Sequence, residues 1–529
     1  MHGQLTKWSD SSRNPGTRVW VSGWVRRLFP WNGAGRGLGI LCLLGCAESA
    51  GRAQSFFNPF SDAGATTPFP AFPANGFNEL PGTDGNAGDN FLIQQGMPYN
   101  PVVARGAPRR YRMKLGRATA SIGAGVSMTY TDNGNLVGDG SGASSEGDFA
   151  VATSLSIGLG MPLDRENSLQ LNVGLGYVHH FNQNIPDQIT ISPASAWDYQ
   201  TTLGPVRLTI YDRIATPGNV GTSPQLSGTG SYTSVDFRRF SNDAGFSASL
   251  PQGKSTTISM GYSLNTDVGM GDAFSQQDHL THSVSLALFE RLDRRWTVGL
   301  SSSAYLNQFF QRFQNDSKGY GVGPTLTWQP NRRFNVSAST RYSVGYSQAT
   351  GVVADTHGFA GVTYDLSIEN YLSRQVSHGI SGGSHVDLGI GSNFAKTLSA
   401  NYHLSWRVTN KIPLTFMAIY TDTAQTGIGY DFRPIPDGAL FVSGATPQLL
   451  TANGLIPLPP GTLLTPDGLL AEPHAPEHSR MVNLSWSTSY QFTDNLSAGL
   501  SYSHGIRLSN LTGHGYSLNT VTLSLSYQF

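Results

Sequence analysis

From about residue 115 to the end, polar and apolar residues alternate one by one in a series of long segments. In the first, Ile122, Ala124, Val126, Met128 and Tyr130 alternate with Gly, Ser and Thr. A repeat of two residues gives a β-strand one apolar and one polar face. Similar segments begin near residues 151, 169, 258, 296, 336, 398, 414 and 484. Each has about ten or more residues, enough to cross a bilayer when tilted.

The connections between these segments alternate in length. Short connections with charged or turn-forming residues lie at 162–166, 293–295, 330–333, 409–411 and 493–495. Longer connections rich in Gly, Asp and Asn lie at 132–147, 182–195, 217–230 and 267–277. Short turns on one rim and long loops on the other are typical of an outer-membrane barrel, with the short turns on the periplasmic side.

The strand pattern predicts an all-β fold, a transmembrane antiparallel up-and-down β-barrel over residues 115–529. We expect about 18 strands if Leu203-Gly204-Pro205 is a tight turn, and otherwise 16 as the nearest even number. A β-sandwich could also hide apolar faces. One closed sheet suits this many long strands with small polar partners better, because closure leaves no exposed edge.

Composition agrees with a barrel that has a wet interior. Only 13% of the residues are charged, against roughly 25% in typical soluble domains, while the mean hydropathy is −0.21. The formal net charge is zero, so no basic field predicts a nucleic-acid partner. Cys42 and Cys46 are the two cysteines, so the rest of the chain can form no disulfide and no Cys-ligated metal site.

The first 53 residues predict an export signal. Arg26, Arg27 and Arg36 precede a short apolar run, residues 38–45, and small residues follow, as in a secretory signal peptide. A lipoprotein signal that ends at Cys46 and a twin-arginine signal at Arg26-Arg27 are the alternatives. Residues 54–114 are rich in Pro and Gly and predict an extended segment. That segment either stays in the periplasm or threads into the lumen.

The last strand carries a resemblance to known proteins. Val521, Leu523, Leu525, Tyr527 and Phe529 alternate with polar residues up to the final position. The ending Tyr527-Gln528-Phe529 resembles that of Gram-negative outer-membrane β-barrel proteins, whose closing strand ends in an aromatic-x-Phe signal read by the assembly machinery. The resemblance implies a cell outer membrane location, with membrane lipid and the barrel assembly machinery as partners. It leaves a homo-oligomer open.

A second resemblance lies in the first hairpin. Tyr130-Thr131-Asp132-Asn133, a loop, and then Glu146-Gly147-Asp148-Phe149 look like the opening of a group of uncharacterised β-barrel porins, some linked to exopolysaccharide export. The resemblance covers about twenty residues. It implies a fold and a location, and it brings no catalytic residues with it.

Strand parity selects pore-lining candidates, namely Arg207, Arg213, Arg341, His403 and Arg407. Inward arginines would raise the anion concentration in a pore. Alternatively, they pair with carboxylates such as Asp212, Asp365 or Asp387 and brace the wall. The long connection from Thr426 to His478 is apolar and Pro-rich. It either folds into or over the pore or is a variable surface loop.

The sequence contains no catalytic or metal-binding constellation of a known kind. His504 and Ser302 share the outward parity that a barrel-embedded hydrolase would need, but every strand offers a serine. His179-His180 and the pair His474 and His478 lack a clustered third ligand. We therefore expect no enzyme, cofactor or metal, and predict a porin-like passive channel for small hydrophilic solutes. Polysaccharide export and a plugged structural or adhesion barrel are the alternatives.

Overall fold

Long antiparallel strands make up most of the described chain. The computed structural model describes residues 113–133, 145–164, 166–182, 187–192, 194–216, 239–270, 275–353, 358–387, 394–436, 438–444 and 447–529. The predictions for residues 1–53 and for 54–112 lie outside these ranges, as does the loop predicted at 217–230. Within the described ranges, no helix is long and apolar enough to cross a membrane.

The first half of the described chain contains eleven strands and one short 3₁₀ turn, Ser275–Gln277. The strands are β1 (Met113–Leu115), β2 (Ala118–Thr131), β3 (Asp148–Pro162), β4 (Ser168–His180), β5 (Gln188–Ile191), β6 (Ser195–Leu203), β7 (Val206–Ala215), β8 (Arg239–Gln252), β9 (Thr256–Gly269), β10 (His279–Arg291) and β11 (Trp296–Phe309).

The second half adds long strands on both sides of a group of short ones. These are β12 (Ser317–Asn331), β13 (Phe334–Ser347), β14 (Phe359–Tyr371), β15 (Val376–Asp387), β16 (Phe394–Thr409), β17 (Ile412–Thr426), β18 (Gly429–Pro434), β19 (Leu440–Val442), β20 (Gln448–Thr451), β21 (Gly454–Pro457), β22 (Leu463–Leu464), β23 (Leu469–His474), β24 (His478–Gln491), β25 (Leu496–Ser509) and β26 (Tyr516–Gln528).

The long strands close into one ring. Each pairs antiparallel with its neighbours in sequence, β17 pairs with β24 across the intervening short strands, and β26 pairs back with β2. β5 and β6 both pair with β4 and form one interrupted strand, while β1 adds a short extension on β2. The barrel therefore has 18 strands. The predicted turn after Leu203 is confirmed, because Leu203 pairs with Val206 and Gly204 takes a φ of 62°.

The outer face of the ring is apolar and exposed. On β10, Val284, Leu286 and Leu288 are each at least 40% exposed, whereas Ala287 on the other face is 1% exposed. The same alternation holds on β26, where Leu523 is 54% exposed. Exposing such a row to water would lose roughly 1.5–3 kcal/mol of hydrophobic stabilisation per side chain. Contact with lipid carries no such cost. The β-sandwich alternative is excluded, because the apolar faces point away from the ring.

Polar turn residues fix the short rim. The Asp293 carboxylate accepts backbone hydrogen bonds from Arg295 and Trp296 at 2.6 and 2.8 Å. These bonds satisfy two N–H groups at the turn that the strand pairing does not use. A closed barrel with an apolar exterior satisfies its backbone within lipid. With an even strand number and short turns on one rim, this is a barrel of the Gram-negative outer-membrane type, and its location is the outer membrane.

The connections differ from the prediction in two places. The expected loop 182–195 contains β5, which pairs with β4. The expected loop 426–478 contains the six short strands β18–β23, arranged in two small sheets. The segment predicted at 54–114 also overlaps β1, which begins at Met113. These short strands lack a long period-two pattern, so their pairing depends on contacts that are distant in sequence.

Candidate pore and its cap

The pore-lining candidates all lie on the face opposite the exposed apolar rows. On β7, Arg207 and Arg213 alternate with Ile210 of the outer face, and on β13 Arg341 lies beside the exposed Tyr342. His403 and Arg407 alternate with the exposed Trp406 on β16. The inward orientation read from the sequence agrees with the strand register. Their role in permeation stays a prediction.

Carboxylates lie within ion-pairing distance of Arg213 and His403. The Arg213 guanidinium lies 4.0 Å from the Asp243 carboxylate, and His403 Nε2 lies 3.2 Å from Glu369. The charge of Asp365, diagonally placed on β14, acts on Arg341. At Arg213 and His403 an acidic neighbour offsets the charge, as the bracing alternative expects.

The predicted carboxylate partners are only partly right. Asp212 pairs in register with Trp197 on the outer face, so it cannot meet Arg213 inside the barrel. Its neighbour Asn242 donates a hydrogen bond to it instead. The side chain of Asp387 lies outside the described part of the chain. Because adjacent residues of a strand face opposite sides, a carboxylate next in sequence to an arginine is the wrong choice.

Arg207 and Arg407 lie near the short-turn rim, on opposite walls. Arg207 is close to the turn at Gly204, and Arg407 precedes the turn between β16 and β17. Their strands β7 and β16 are nine strands apart in the ring of 18. Both side chains are exposed. Positive charge therefore lies on both sides of the lumen at its periplasmic end.

Residues 427–477, which we call the cap, form a small folded unit of their own. β18, β23 and β22 make one sheet, and β19, β20 and β21 make the other. Leu449 of one sheet packs with Leu470 of the other, together with Leu458, Ile435 and Phe441. Leu470 is fully buried. The Pro- and Leu-rich sequence therefore forms a packed core among the described residues.

A cluster of buried charges joins the cap to the barrel wall. It consists of Asp431 and Glu477 of the cap, and of Arg507 on β25 and His514 in the turn after it; we call these four residues the latch. Arg507 donates to Glu477 at 2.6 Å, and His514 lies 3.5 Å from Glu477 and 3.4 Å from Asp431. Ser509 also donates to Glu477, at 2.7 Å. Glu477, Arg507 and His514 are all buried.

The latch shifts the protonation of its members. Burial alone would lower the pKa of His514, but the nearby carboxylates of Asp431 and Glu477 outweigh it and raise the pKa to about 9. Burial likewise would raise the pKa of Glu477, yet His514, Arg507 and Ser509 lower it on balance. At neutral pH the latch therefore holds two cations against two carboxylates.

The far end of the cap contacts the other side of the same long-loop rim. Asp467 accepts hydrogen bonds from the backbone N–H of Ser275, at 2.6 Å, and from the Ser275 hydroxyl. Ser275 lies between β9 and β10, and β10 is seven strands from β17 in the ring of 18. Phe432 packs on Phe313 of the connection after β11, with 6.1 Å between ring centroids. The cap thus crosses the mouth on the long-loop side.

An apolar cluster lies on the inner wall near this mouth. Tyr305, Val386 and Phe394 are buried together, and Phe359 packs against them. Gly319 leaves the space that the Tyr305 ring occupies, and Gly345 leaves space for the Tyr305 hydroxyl and the Phe394 ring, because a Cβ at either position would overlap them. The wall is therefore uneven, with bulky aromatic groups near the mouth and Ser, Thr and Gly along much of the remaining inner face.

The other residues considered for catalysis or metal binding are dispersed. His504 Nδ1 bonds the Asn519 side chain at 2.8 Å, while Ser302 lies on β11 and bonds the Leu286 carbonyl, so the two never meet. His179 and His180 face opposite sides of β4 and bind Asp187 and Asp148. Within the described ranges, no three His, Cys, Asp or Glu side chains are arranged to hold a metal ion.

Sequence reasoning missed the latch, although its residues were all visible. His474 and His478 were considered together, but His478 pairs with Asp422 on the outer face. His474 instead packs edge-on against His514, with 5.8 Å between ring centroids. The sequence did offer one signal. Glu477 and Arg507 are isolated charges, next to or within strands that are otherwise polar or apolar. Their pairing across 30 residues depends on the register of β24 and β25.

No protein-family model matches the sequence, and no curated protein matches it. Among solved structures, Pseudomonas aeruginosa OccK2 (OpdF) in complex with glucuronate is 9% identical, with a TM-score of 0.41, covering 78% of this chain and 98% of that one. Pseudomonas aeruginosa OpdQ is 11% identical, with a TM-score of 0.38 and coverage of 78% and 98%. Acinetobacter baumannii OccAB3 is 11% identical, with a TM-score of 0.37 and coverage of 78% and 99%.

Proposed function

We propose that this protein is a porin-like channel of the outer membrane, through which small hydrophilic solutes diffuse under a cap that narrows the entrance. The observation that carries the proposal is the cap itself. At the long-loop rim, it is held on one side by the latch and reaches the other side at Ser275. A ring of 18 strands with small inward side chains cannot fill its own interior, so the cap governs access to the space it encloses.

The lumen wall supports passage of water and polar solutes. Its inward residues are mostly Ser, Thr, Gly and Asn, which offer hydrogen bonds without strong fixed charge. Arg207 and Arg407 add positive charge near the periplasmic end, on opposite walls. Such charges raise the local concentration of anions. We therefore expect a size-limited channel with a modest preference for anions.

The proposal also includes the molecules that this barrel meets in the cell. Outer-membrane lipid contacts the exposed apolar face. Tyr527 and Phe529 of the closing strand serve as the signal for the barrel assembly machinery. Their rings pack edge-on, with 4.7 Å between centroids, and Phe529 remains 51% exposed, which leaves an aromatic surface for another protein to read. A homo-oligomer would bury part of the apolar face.

A plugged structural barrel is the second candidate, favoured by the same cap. A folded unit that spans the mouth could close it fully. Polysaccharide export gains no specific support from the described residues.

Liposome swelling separates these functions. Purified protein in liposomes is diluted into isotonic solutions of neutral sugars of increasing size. A porin gives swelling rates that fall steeply with sugar size, because the solute must pass the capped entrance. A plugged barrel gives no swelling for any sugar, and this result would refute the proposed channel. Protein denatured before reconstitution provides the control for leakage.

A further inference from the structure

Two neighbouring short turns at the periplasmic rim repeat one sequence pattern. Arg294-Arg295-Trp296 closes the turn between β10 and β11, and Arg332-Arg333-Phe334 closes the turn between β12 and β13. Backbone hydrogen bonds tie each turn to the strand beyond it, from Gln329 N–H to the Arg295 carbonyl and from Tyr371 N–H to the Arg333 carbonyl, both at 2.8 Å. The two arginine pairs therefore belong to one continuous stretch of rim.

The aromatic residues that follow the arginines form one outward cluster. Trp296 stacks on Trp328, with 5.4 Å between ring centroids, and Trp328 meets Phe334 edge-on at 5.9 Å. Trp296 and Trp328 are directly paired in register on the lipid-facing side. Aromatic side chains of this kind mark the level of the lipid headgroups. The arginines just beyond them lie at the depth of the phosphate layer.

An open cleft of about 610 Å³ lies at the second of these turns. Its lining includes Arg332, Arg333, Phe334, Tyr371 and Leu372. Both arginines are exposed, as are Tyr371 and Leu372. The lining thus combines two guanidinium groups with aromatic and aliphatic surface, which matches a molecule with an anionic head and an apolar body.

The charge at the two turns differs. The first turn contains Asp293, whose carboxylate interacts with the charge of Arg295. The second turn, residues 330–333, contains no acid. Across the described part of the chain, neither Arg332 nor Arg333 pairs with a carboxylate. The cleft therefore presents two uncompensated positive charges at the membrane surface.

We propose that this cleft binds the phosphate headgroup of an anionic phospholipid in the periplasmic leaflet. Arg332 and Arg333 donate to the phosphate oxygens, for which the guanidinium fork is suited. Phe334, Tyr371 and Leu372 contact the glycerol and upper acyl region. The proposal depends on the periplasmic placement of the short turns, and it is independent of whether the lumen conducts.

Native mass spectrometry of the full chain tests the site. Protein in detergent is incubated with phosphatidylglycerol or with phosphatidylcholine, and the fraction that retains one lipid is measured. We expect clear preference for phosphatidylglycerol. The double variant R332A/R333A should lower its apparent affinity by about tenfold or more, since it removes both guanidinium groups that line the cleft.

The matched control is R294A/R295A, which removes the same charge from the neighbouring turn outside the cleft. It should change phosphatidylglycerol retention much less than R332A/R333A does, because Asp293 offsets the charge of Arg295 and this turn does not line the cleft. A second variant, R332K/R333K, keeps the charge, loses the guanidinium fork and should show an intermediate loss. Heat-modifiable gel mobility verifies that every variant remains a folded barrel.

Three results would overturn the proposal. The first is equal retention of both lipids, which would remove the role of headgroup charge. The second is equal loss in the two alanine double variants, which would indicate a diffuse cationic collar. The third is displacement of the lipid by millimolar inorganic phosphate with no dependence on acyl chains, which would indicate a free-anion site. None of these results bears on conductance, so failure here leaves the proposed channel untouched.

Discussion

Charged side chains on the lumen face differ in whether a carboxylate lies beside them. Arg213 has Asp243, His403 has Glu369, and both pairs lie on adjacent or nearby strands of the inner wall. The Arg407 side chain has no carboxylate within ion-pairing distance among the described residues, although its backbone N–H donates to Gln375. An uncompensated charge in a narrow aqueous space has the larger effect on passing ions.

Replacing Arg407 should therefore change ion selectivity. We expect Arg407→Gln to shift the reversal potential in a potassium chloride gradient toward cation preference, because it removes one positive charge from the pore wall. Arg480→Gln is the control, since Arg480 pairs with Asp422 on the outer face. An unchanged reversal potential in the Arg407 variant would show that this side chain does not face the ion path.

Glu477 is the central residue of the latch, because both Arg507 and His514 depend on it. Glu477→Gln leaves the buried Arg507 without its counter-charge, and breaking a buried pair from one side costs about 3–5 kcal/mol. We expect much faster hydrogen exchange across the cap, with little change in the barrel strands. Glu472→Gln is the control, because it breaks an ion pair with Arg433 at the cap surface, worth about 0–1 kcal/mol. Equal exchange in the two variants would contradict the latch.

At the level of elements, the cap differs from the barrel strands in how it is specified. The barrel strands follow from local alternation, so ten of their positions and the inward faces of the five candidates could be read from the sequence. The cap strands are two to six residues long, too short for a periodic signal. Its attachment depends on contacts such as Asp467 to Ser275, separated by 192 residues. The sequence therefore identifies the segment as a long connection, but it does not specify where this connection lies on the barrel.

The cap should respond to pH through the latch. The raised pKa of His514 means that its stabilisation is complete below its ordinary value of 6.5 and is lost as pH rises through about 9. The lowered pKa of Glu477 means that its stabilisation is complete above 4.5 and is lost as pH falls through its folded value. The attachment of the cap should be most stable between about pH 4.5 and 6.5, and it should weaken below and above this range.

Conductance between about pH 4 and about pH 10 measures this response. We expect larger or more frequent openings at both extremes. His514→Gln should remove the alkaline rise, because the group that deprotonates is gone. A His504→Gln variant, changed on the outer face, should keep it. An alkaline rise that persists in His514→Gln would assign the response to another group.

At the level of the whole molecule, closure of the ring depends on the last strand. β26 pairs with both β25 and β2, and the Phe529 N–H donates to the Ile122 carbonyl at 2.8 Å. Val126 opposite Leu525 continues the apolar face across the seam. The alternation in the final fifteen residues was sufficient to predict a closing strand. Its pairing with β2 follows from closure of the whole ring, which that alternation alone does not specify.

Removing the terminal aromatic should impair assembly more than stability. We expect Phe529→Ser to lower the amount of heat-modifiable barrel in outer-membrane fractions several-fold, because the assembly signal loses its last ring. Phe492→Ser is the control, as Phe492 is a comparably exposed aromatic at a short turn. Normal levels of the Phe529 variant would remove this residue from the signal.

The central claim is that a water-filled lumen lies beneath the cap. Single-channel conductance in planar bilayers tests it most directly, by comparing the full chain with a variant that lacks residues 430–474. If the account is right, the full chain passes small current steps and the shortened protein passes larger, steady ones, since the entrance is no longer narrowed. A shortened barrel that is folded by heat-modifiable mobility, yet conducts no more than the full chain, would contradict it.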